Sequence, residues 1–108
     1  MDKFPRPRVH IERAGKPPGC KLIRLSADIE GGVICRISIR GDFFASPEEG
    51  FERAEARLRG VPAADAGRIF DLLLQEEGVE TAGIDGSALA KLLNTEAFQK
   101  LRVLGKQP

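Results

Sequence analysis

The sequence has few of the residues that bind metal ions or perform nucleophilic catalysis. Its 108 residues include two cysteines, Cys20 and Cys35, and one histidine, His10. A structural zinc site requires four nitrogen or sulfur ligands, so these three side chains are too few to form one. Nucleophilic catalysis requires a serine or cysteine beside an oriented base, and the sequence offers no such triad. We therefore expect no metal site and no catalytic residue in this chain.

Long apolar runs and glycine-rich phosphate loops are also absent. No apolar run approaches the roughly 20 residues that a membrane-spanning helix needs. The N-terminal residues are mainly basic and lack the apolar stretch of a secretory signal, so we expect a cytoplasmic protein. The Gly-x-x-x-x-Gly-Lys and Gly-x-Gly-x-x-Gly patterns, which present backbone N–H groups to phosphate, do not occur. Consequently, we expect this chain alone to bind no cofactor.

Charge is distributed unevenly along the chain. Residues 1–19 contain five basic residues, two acidic residues and four prolines, whereas the remainder has 12 basic and 14 acidic residues. This pattern predicts a loose, basic, proline-rich arm over residues 1–19 and a single domain over residues 20–104. Such an arm is either a solvated tail or a contact for an acidic partner or a nucleic acid, because clustered positive charge attracts carboxylate and phosphate alike.

An alternating apolar pattern after the arm predicts a β-hairpin. The apolar positions recur at every second residue, at Ile23, Leu25, Ala27 and Ile29 and then at Val33, Cys35, Ile37 and Ile39. The pair Gly31 and Gly32 separates the two runs and suits a tight hairpin turn. Two strands alone are marginally stable in water, so a short third strand is expected near residues 42–45. Cys35 is interpreted as a small buried apolar residue.

The remainder of the chain has helical periodicity. Ser46 begins a Ser-x-x-Glu capping box, which predicts a helix over about residues 47–59 that ends at Gly60. A second helix carries the densest apolar cluster in the chain and ends at Gly78. Asp85 is a candidate N-cap of a third helix.

A fourth helix is expected after Thr95. The predicted fold is therefore an α+β domain of two layers, with a three-stranded antiparallel meander followed by three to four helices.

Four residues at the strand-to-helix junction form the candidate functional motif. Gly41 allows a backbone conformation that other residues avoid, and Asp42 can accept a hydrogen bond from the N–H two residues later in an Asx-type turn. Phe43 and Phe44 would point to opposite faces of an extended chain, one into the core and one outward. The outward ring either binds a partner or packs under a terminal segment, since aromatic side chains are enriched in interface cores.

Several segments together resemble the accessory domain of lipoate-protein ligases. They are residues 16–23, the Gly31-Gly32 turn, residues 37–44, residues 47–49 and the helix end at residues 58–60. Gly41-Asp42-Phe43-Phe44 is the specific part, and the likeness extends over residues 18–93. In this family the domain is either the C-terminus of a single-chain ligase or the separate small subunit of a bipartite one. Cys20 stands where many relatives have glycine.

The resemblance implies a role without catalytic residues of its own. In this family a larger catalytic domain binds lipoate and ATP, forms lipoyl-adenylate, and transfers the lipoyl group to a lysine of an acceptor protein. The present chain would be the accessory subunit that a separate catalytic chain needs for lipoate adenylation. ATP and lipoate would then bind the catalytic partner, and the acceptor protein would be contacted indirectly. The resemblance also implies a fold similar to iron-sulfur scaffold and sulfur-acceptor domains.

Two other functional interpretations are open at this point. A free-standing scaffold or sulfur-carrier protein of the same fold would use Cys20, which would have to be an exposed cysteine of low pKa on a mobile loop. A nucleic-acid-binding module would use the basic arm, but only Phe4 in that arm could stack on a base.

Overall fold

Three strands form an antiparallel sheet in the computed structural model, which describes residues 8–93. They are β1 (Arg8–Gly15), β2 (Ile23–Glu30) and β3 (Val33–Gly41), and they lie in the order β1-β2-β3. A separate two-stranded sheet pairs β4 (Phe44–Ser46) with β5 (Glu80–Ala82). The helices are α1 (Glu48–Ala56), α2 (Ala66–Glu76) and α3 (Gly86–Leu93), with a 3-10 turn at Ala63–Asp65. The α+β class is confirmed, and the order of its strands differs from the prediction.

The first strand corrects the prediction of a loose arm over residues 1–19. β1 pairs with β2 along its whole length, from Arg8 opposite Glu30 to Gly15 opposite Ile23. Ile11 on this strand is buried, with 3% of its surface exposed. Part of the supposed arm is therefore core structure, and residues 1–7 lie outside the described range. No helix within residues 8–93 is long and apolar enough to cross a membrane.

The third strand of the main sheet precedes the hairpin, so its predicted place at residues 42–45 is wrong. Gly41 has a φ of 154°, a conformation that glycine adopts far more readily than other residues. The chain leaves the sheet there, and Asp42 N donates a final hydrogen bond to Leu22 O at 2.9 Å. The following strand, β4, joins β5 instead of the main sheet.

A β-bulge in the hairpin changes which side chains reach the core. The register shifts between Asp28 and Ile29, so that Arg36 pairs with Asp28 and Ile34 pairs with Ile29. Cys35 is the additional residue, and the alternation changes phase around it. Ile34 is therefore completely buried, while Cys35 is half-buried. The prediction of Cys35 as a core residue is wrong because the bulge turns Ile34 inward in its place.

The first helix is shorter than predicted and has a different start. Pro47 is its N-cap residue and makes no side-chain capping bond, so the expected Ser46 capping box does not form. Gly60 lies beyond the helix end, as predicted, with a φ of 89°. Its N–H donates to Ile34 O at 2.7 Å, which ties the end of the turn to β3.

The N-terminus of α3 is held by two carboxylates. Asp85 Oδ1 accepts a hydrogen bond from Ala88 N at 2.8 Å, which confirms the predicted cap. Asp71 Oδ1 on α2 accepts another from Gly86 N at 2.8 Å. A Cβ atom on Gly67 would lie 2.5 Å from Gly86 O, so α2 and α3 approach more closely than side chains would permit. The predicted fourth helix after Thr95 lies outside the described residues.

One continuous core joins the sheet to all three helices. Its largest fully buried side chains come from every layer and are Phe70, Ile23, Ile34, Ile39, Leu58 and Leu89. The inward residues of β2 belong to this core, whereas Arg24 on the same strand is exposed on the opposite face. The helices thus cover one face of the main sheet and leave its other face polar and open.

Gly41→Val is expected to destabilise the protein by at least about 1–3 kcal/mol, the usual cost of a backbone outlier. A Cβ atom at this position would overlap Leu22 O and would also lie 3.0 Å from Ile23 Cα. Gly19→Val is the matched control, because Gly19 also has a positive φ but has no heavy atom within 4 Å of its Cβ position. Denaturant unfolding of both variants measures the difference, and equal losses of stability would contradict a steric role for Gly41.

Candidate functional site

The predicted motif Gly41 to Phe44 forms a tight corner between the two sheets. Gly41 is the last residue of β3 and lies opposite Ile23, and Phe44 is the first residue of β4 and lies opposite Ala82. Asp42 between them is exposed, and within residues 8–93 its carboxylate accepts no hydrogen bond from the N–H two residues later. The predicted Asx-type turn is therefore wrong, since the bond from the Asp42 backbone N–H to Leu22 O closes the corner instead.

The two phenylalanines point in opposite directions, as predicted. Phe43 packs inward against Phe51 of α1, with ring centroids 5.3 Å apart. Phe51 in turn meets Phe70 of α2 edge to face, at 5.9 Å and 87°. This chain of three rings anchors the corner to the core, since such aromatic pairs contribute beyond their buried area.

Phe44 is the most exposed large apolar side chain of residues 8–93. Its exposed fraction is 58%, compared with 48% for Leu72 and 39% for Val9. A shallow groove lies beside this corner and is lined by Ile39, Arg40, Gly41, Phe43, Ala45, Glu48, Phe51 and Glu52. Phe44 does not line this groove, whose floor is apolar at Phe43 and whose rim is charged at Arg40 and Glu52. An exposed aromatic ring and a partly apolar groove at one corner are features common in protein interfaces.

The sheet edge next to this groove is held by a glutamate of α1. Glu55 Oε2 accepts a hydrogen bond from Ile39 N at 2.6 Å and another from Arg40 Nη1 at 3.1 Å. On the opposite side of α1, Arg53 Nε donates to Glu77 at 2.7 Å. That bond holds the pKa of Glu77 below its usual range. The position of α1, and with it the groove, is therefore fixed on both sides of the helix by polar contacts.

Both cysteines are half-buried. Cys20 is half-buried against the core, and its backbone N–H donates to Pro17 O at 2.9 Å. Cys35 Sγ lies 3.8 Å from both Glu30 Oε1 and Val33 O. No cluster of three or more histidine, cysteine or acidic side chains among residues 8–93 could hold a metal ion. Partial burial of Cys20 disfavours the sulfur-carrier interpretation, which needs an exposed cysteine.

The open face of the sheet carries a charged cluster that the sequence reasoning missed. His10 Nδ1 lies 2.6 Å from Asp28 Oδ1, and His10 Nε2 lies 3.0 Å from Glu12 Oε2. Arg36 approaches Asp28 at 3.9 Å. The cluster was not predicted because residues 1–19 were expected to form a loose arm, without the strand that carries His10 and Glu12. The alternation of Val9 and Ile11 with polar neighbours was the signal that could have revealed the strand.

Protonation of His10 is favoured by its two carboxylate partners. The bonds to Glu12 and then to Asp28 raise the pKa of His10 above its ordinary 6.5. The same contact with His10 lowers the pKa of Asp28 below its ordinary value. Because the pKa of His10 is raised on folding, its stabilising contribution is complete below about pH 6.5 and is lost as the pH rises through the folded-state pKa. The contribution of Asp28 is lost at the acidic end, as the pH falls through its lowered pKa.

An NMR titration of the His10 ring should therefore give a pKa above 6.5, and Glu12→Gln or Asp28→Asn should each lower it. Glu30→Gln is the matched control, because Glu30 lies on the same strand as Asp28 and pairs with Arg8 at 3.5 Å. Assignment is direct, since His10 is the only histidine of the chain. A His10 pKa that is unchanged in both variants would contradict the bridging geometry.

A curated protein sequence and a solved structure, both from Thermoplasma acidophilum, are similar to this chain, and no family model matches it. Lipoate-protein ligase A subunit 2 is 38% identical over 66 residues, which are 59% of this chain and 67% of that protein. A solved chain from an archaeal lipoylation system, a bipartite lipoate protein ligase and its E2 lipoyl domain, matches with a TM-score of 0.63 and 30% identity. That match covers 79% of this chain and 97% of the solved one. These similarities confirm the likeness found in the sequence: the chain belongs to the family of the small accessory subunit, subunit 2, of bipartite lipoate-protein ligase.

Proposed function

We propose that this chain is the non-catalytic subunit of a two-chain lipoate-protein ligase and that it promotes the ATP-dependent activation of lipoate by the catalytic chain. The observation that carries the proposal is the match to 97% of a solved chain from a bipartite ligase. This coverage supports a catalytic domain on a separate polypeptide, as in the bipartite ligase. ATP and lipoate bind the catalytic chain, and the lipoyl acceptor protein is contacted through it.

A subunit without reactive groups can accelerate a reaction by favouring one conformation of its partner. Adenylation requires lipoate and ATP to be aligned before any bond forms, and such positioning can contribute several kcal/mol to lowering the barrier. A chain that binds the aligned conformation of the catalytic subunit better than other conformations shifts the population toward it. Transfer of the lipoyl group starts from the completed adenylate and therefore depends less on this shift in the conformation of the catalytic subunit.

The corner of Gly41 to Phe44 is proposed as part of the contact with the catalytic chain. Phe44 supplies an exposed apolar ring, and the groove beside it supplies an apolar floor at Phe43. Arg40 and Glu52 give the groove a charged rim that can select a partner by complementary charge. A cytoplasmic location, in keeping with the sequence, is part of the same proposal.

An assay with the catalytic chain encoded by the same genome tests the function. We expect ATP-pyrophosphate exchange with lipoate to be fast only when both chains are present, and this chain alone to show none. Transfer from preformed lipoyl-adenylate to the acceptor should change much less when this chain is omitted. Equal exchange with and without this chain would overturn the assignment.

Alanine substitutions of the two phenylalanines separate the interface from the fold. Phe44→Ala should leave the melting temperature nearly unchanged and weaken co-purification with the catalytic chain, because its ring is 58% exposed. Phe43→Ala should lower stability by about 1–3 kcal/mol, less than for a fully buried phenylalanine, since its ring is half-buried against Phe51. If a folded Phe44→Ala variant binds and supports adenylation normally, the interface lies elsewhere.

A further inference from the structure

The main sheet has two outer edges, and the described chain caps the one at β3 at two positions, Ile34 and Ile39. The Ile39 N–H donates to Glu55, and the Ile34 N–H donates to Val61 O at 2.9 Å. The Ile34 carbonyl in turn accepts the Gly60 N–H at 2.7 Å. Helix α1 and the segment after it therefore supply hydrogen-bond partners along the β3 edge.

The hydrogen-bonding phase of the sheet shows which backbone groups of β1 face outward. The Ile39 N–H donates to Glu55 and therefore points away from β2. Ile39 and Leu25, which lie opposite each other, are thus a pair without mutual hydrogen bonds. Leu25 consequently directs its backbone N–H and C=O groups toward β1. Leu25 lies opposite Arg13, so Arg13 bonds to β2. The residues that alternate with Arg13 direct their N–H and C=O groups away from the sheet, and they are Arg8, His10, Glu12 and Ala14.

The outward-facing N–H and C=O groups of Arg8, His10, Glu12 and Ala14, here called the outward row, form an open strand edge within residues 8–93. Within them, the one hydrogen bond to a backbone group of the row runs from Arg13 Nη1 to Glu12 O at 3.2 Å. β1 has eight residues, contains no proline, and pairs with β2 without a bulge. Short length, prolines and bulges are devices by which proteins commonly block strand edges, and β1 has none of these three. The charged side chains of β1 make pairing selective, because an added strand must match them.

We propose that the β1 edge is a docking strand for an extended segment of the catalytic ligase chain, which adds to the sheet as a fourth strand. This inference rests on the proposed function and specifies how the two chains meet. On the open face, Arg8 favours a carboxylate in the added segment and Glu12 favours a basic side chain, whereas His10 is already held by Glu12 and Asp28. On the helix side, Val9 is 39% exposed and would be covered by an apolar side chain. The expected segment alternates charged and apolar residues, with both signs of charge on its outer face.

The β1 edge is also close to the corner at Gly41. Gly15 and Gly41 both pair with Ile23, on its two sides. Neighbouring strands are about 4.8 Å apart, so the end of β1 lies about 10 Å from Gly41. One partner can therefore add a strand at β1 and also contact Phe44, which makes the two surfaces parts of a single interface.

Amide hydrogen exchange of the intact chain tests this assignment residue by residue. In the free chain, the amides of His10, Glu12 and Ala14 should exchange rapidly, while those of Ile11 and Arg13 should be protected. Addition of the catalytic chain should protect the three outward amides. Side-chain packing alone would not produce protection at every second residue. If the outward amides are already protected in the free chain, its own terminal segments or a second copy occupy the edge, and the proposal is wrong.

A proline substitution gives the matching binding test. Ala14→Pro removes an outward N–H and leaves the bonds to β2 intact, so the variant should fold and its affinity for the catalytic chain should fall about tenfold or more. Ala14→Val keeps the N–H and should bind normally. Unchanged affinity of Ala14→Pro, with wild-type binding intact, overturns only the edge assignment. Failure of the wild-type chain to bind or stimulate the catalytic chain overturns the proposed function instead.

Discussion

The backbone conformation at Gly41 is the constraint on which the rest of the arrangement depends. Its φ of 154° and the bond from Asp42 N to Leu22 O end β3 and send the chain out of the main sheet. From that point, β4 leads directly into α1, which returns over β3 and places Glu55 on the sheet edge. A residue with a side chain would collide with the Leu22 carbonyl. The conformation at Gly41 thus determines where the sheet ends, where α1 lies and which way the two phenylalanines point.

Local periodicity predicted the hairpin and the three helices correctly, because those signals lie within a few neighbouring residues. The first strand was missed because prolines and basic residues around it are typical of a loose arm, and Arg13 interrupts the apolar alternation of Val9 and Ile11. The bulge at Cys35 follows from pairing between β2 and β3 and has no local signature. The predicted Ser46 cap does not form because Pro47 occupies the N-cap position of α1.

The candidate motif was recognised from sequence, and its internal geometry was only partly predictable. Alternation of the two adjacent rings indicates that they point apart, but the choice of Phe43 as the buried one depends on Phe51 and Phe70, which come from α1 and α2. The cluster around His10 likewise depends on the register of β1 against β2, which joins residues 18 positions apart. Contacts of that kind are decided by tertiary packing, and a single sequence does not reveal them.

The glutamate that closes the β3 edge also limits what the sheet can become. A sheet open at both sides can accept a strand at each and pass the pairing on from molecule to molecule, as in fibrous aggregates. Here Glu55 and Val61 already accept hydrogen bonds from the Ile39 and Ile34 N–H groups, so an added strand on that side would have to displace them. Addition of a strand to the main sheet is thereby directed to the β1 edge, which has room for one strand. A complex formed through that edge would take up one partner strand for each copy of this chain.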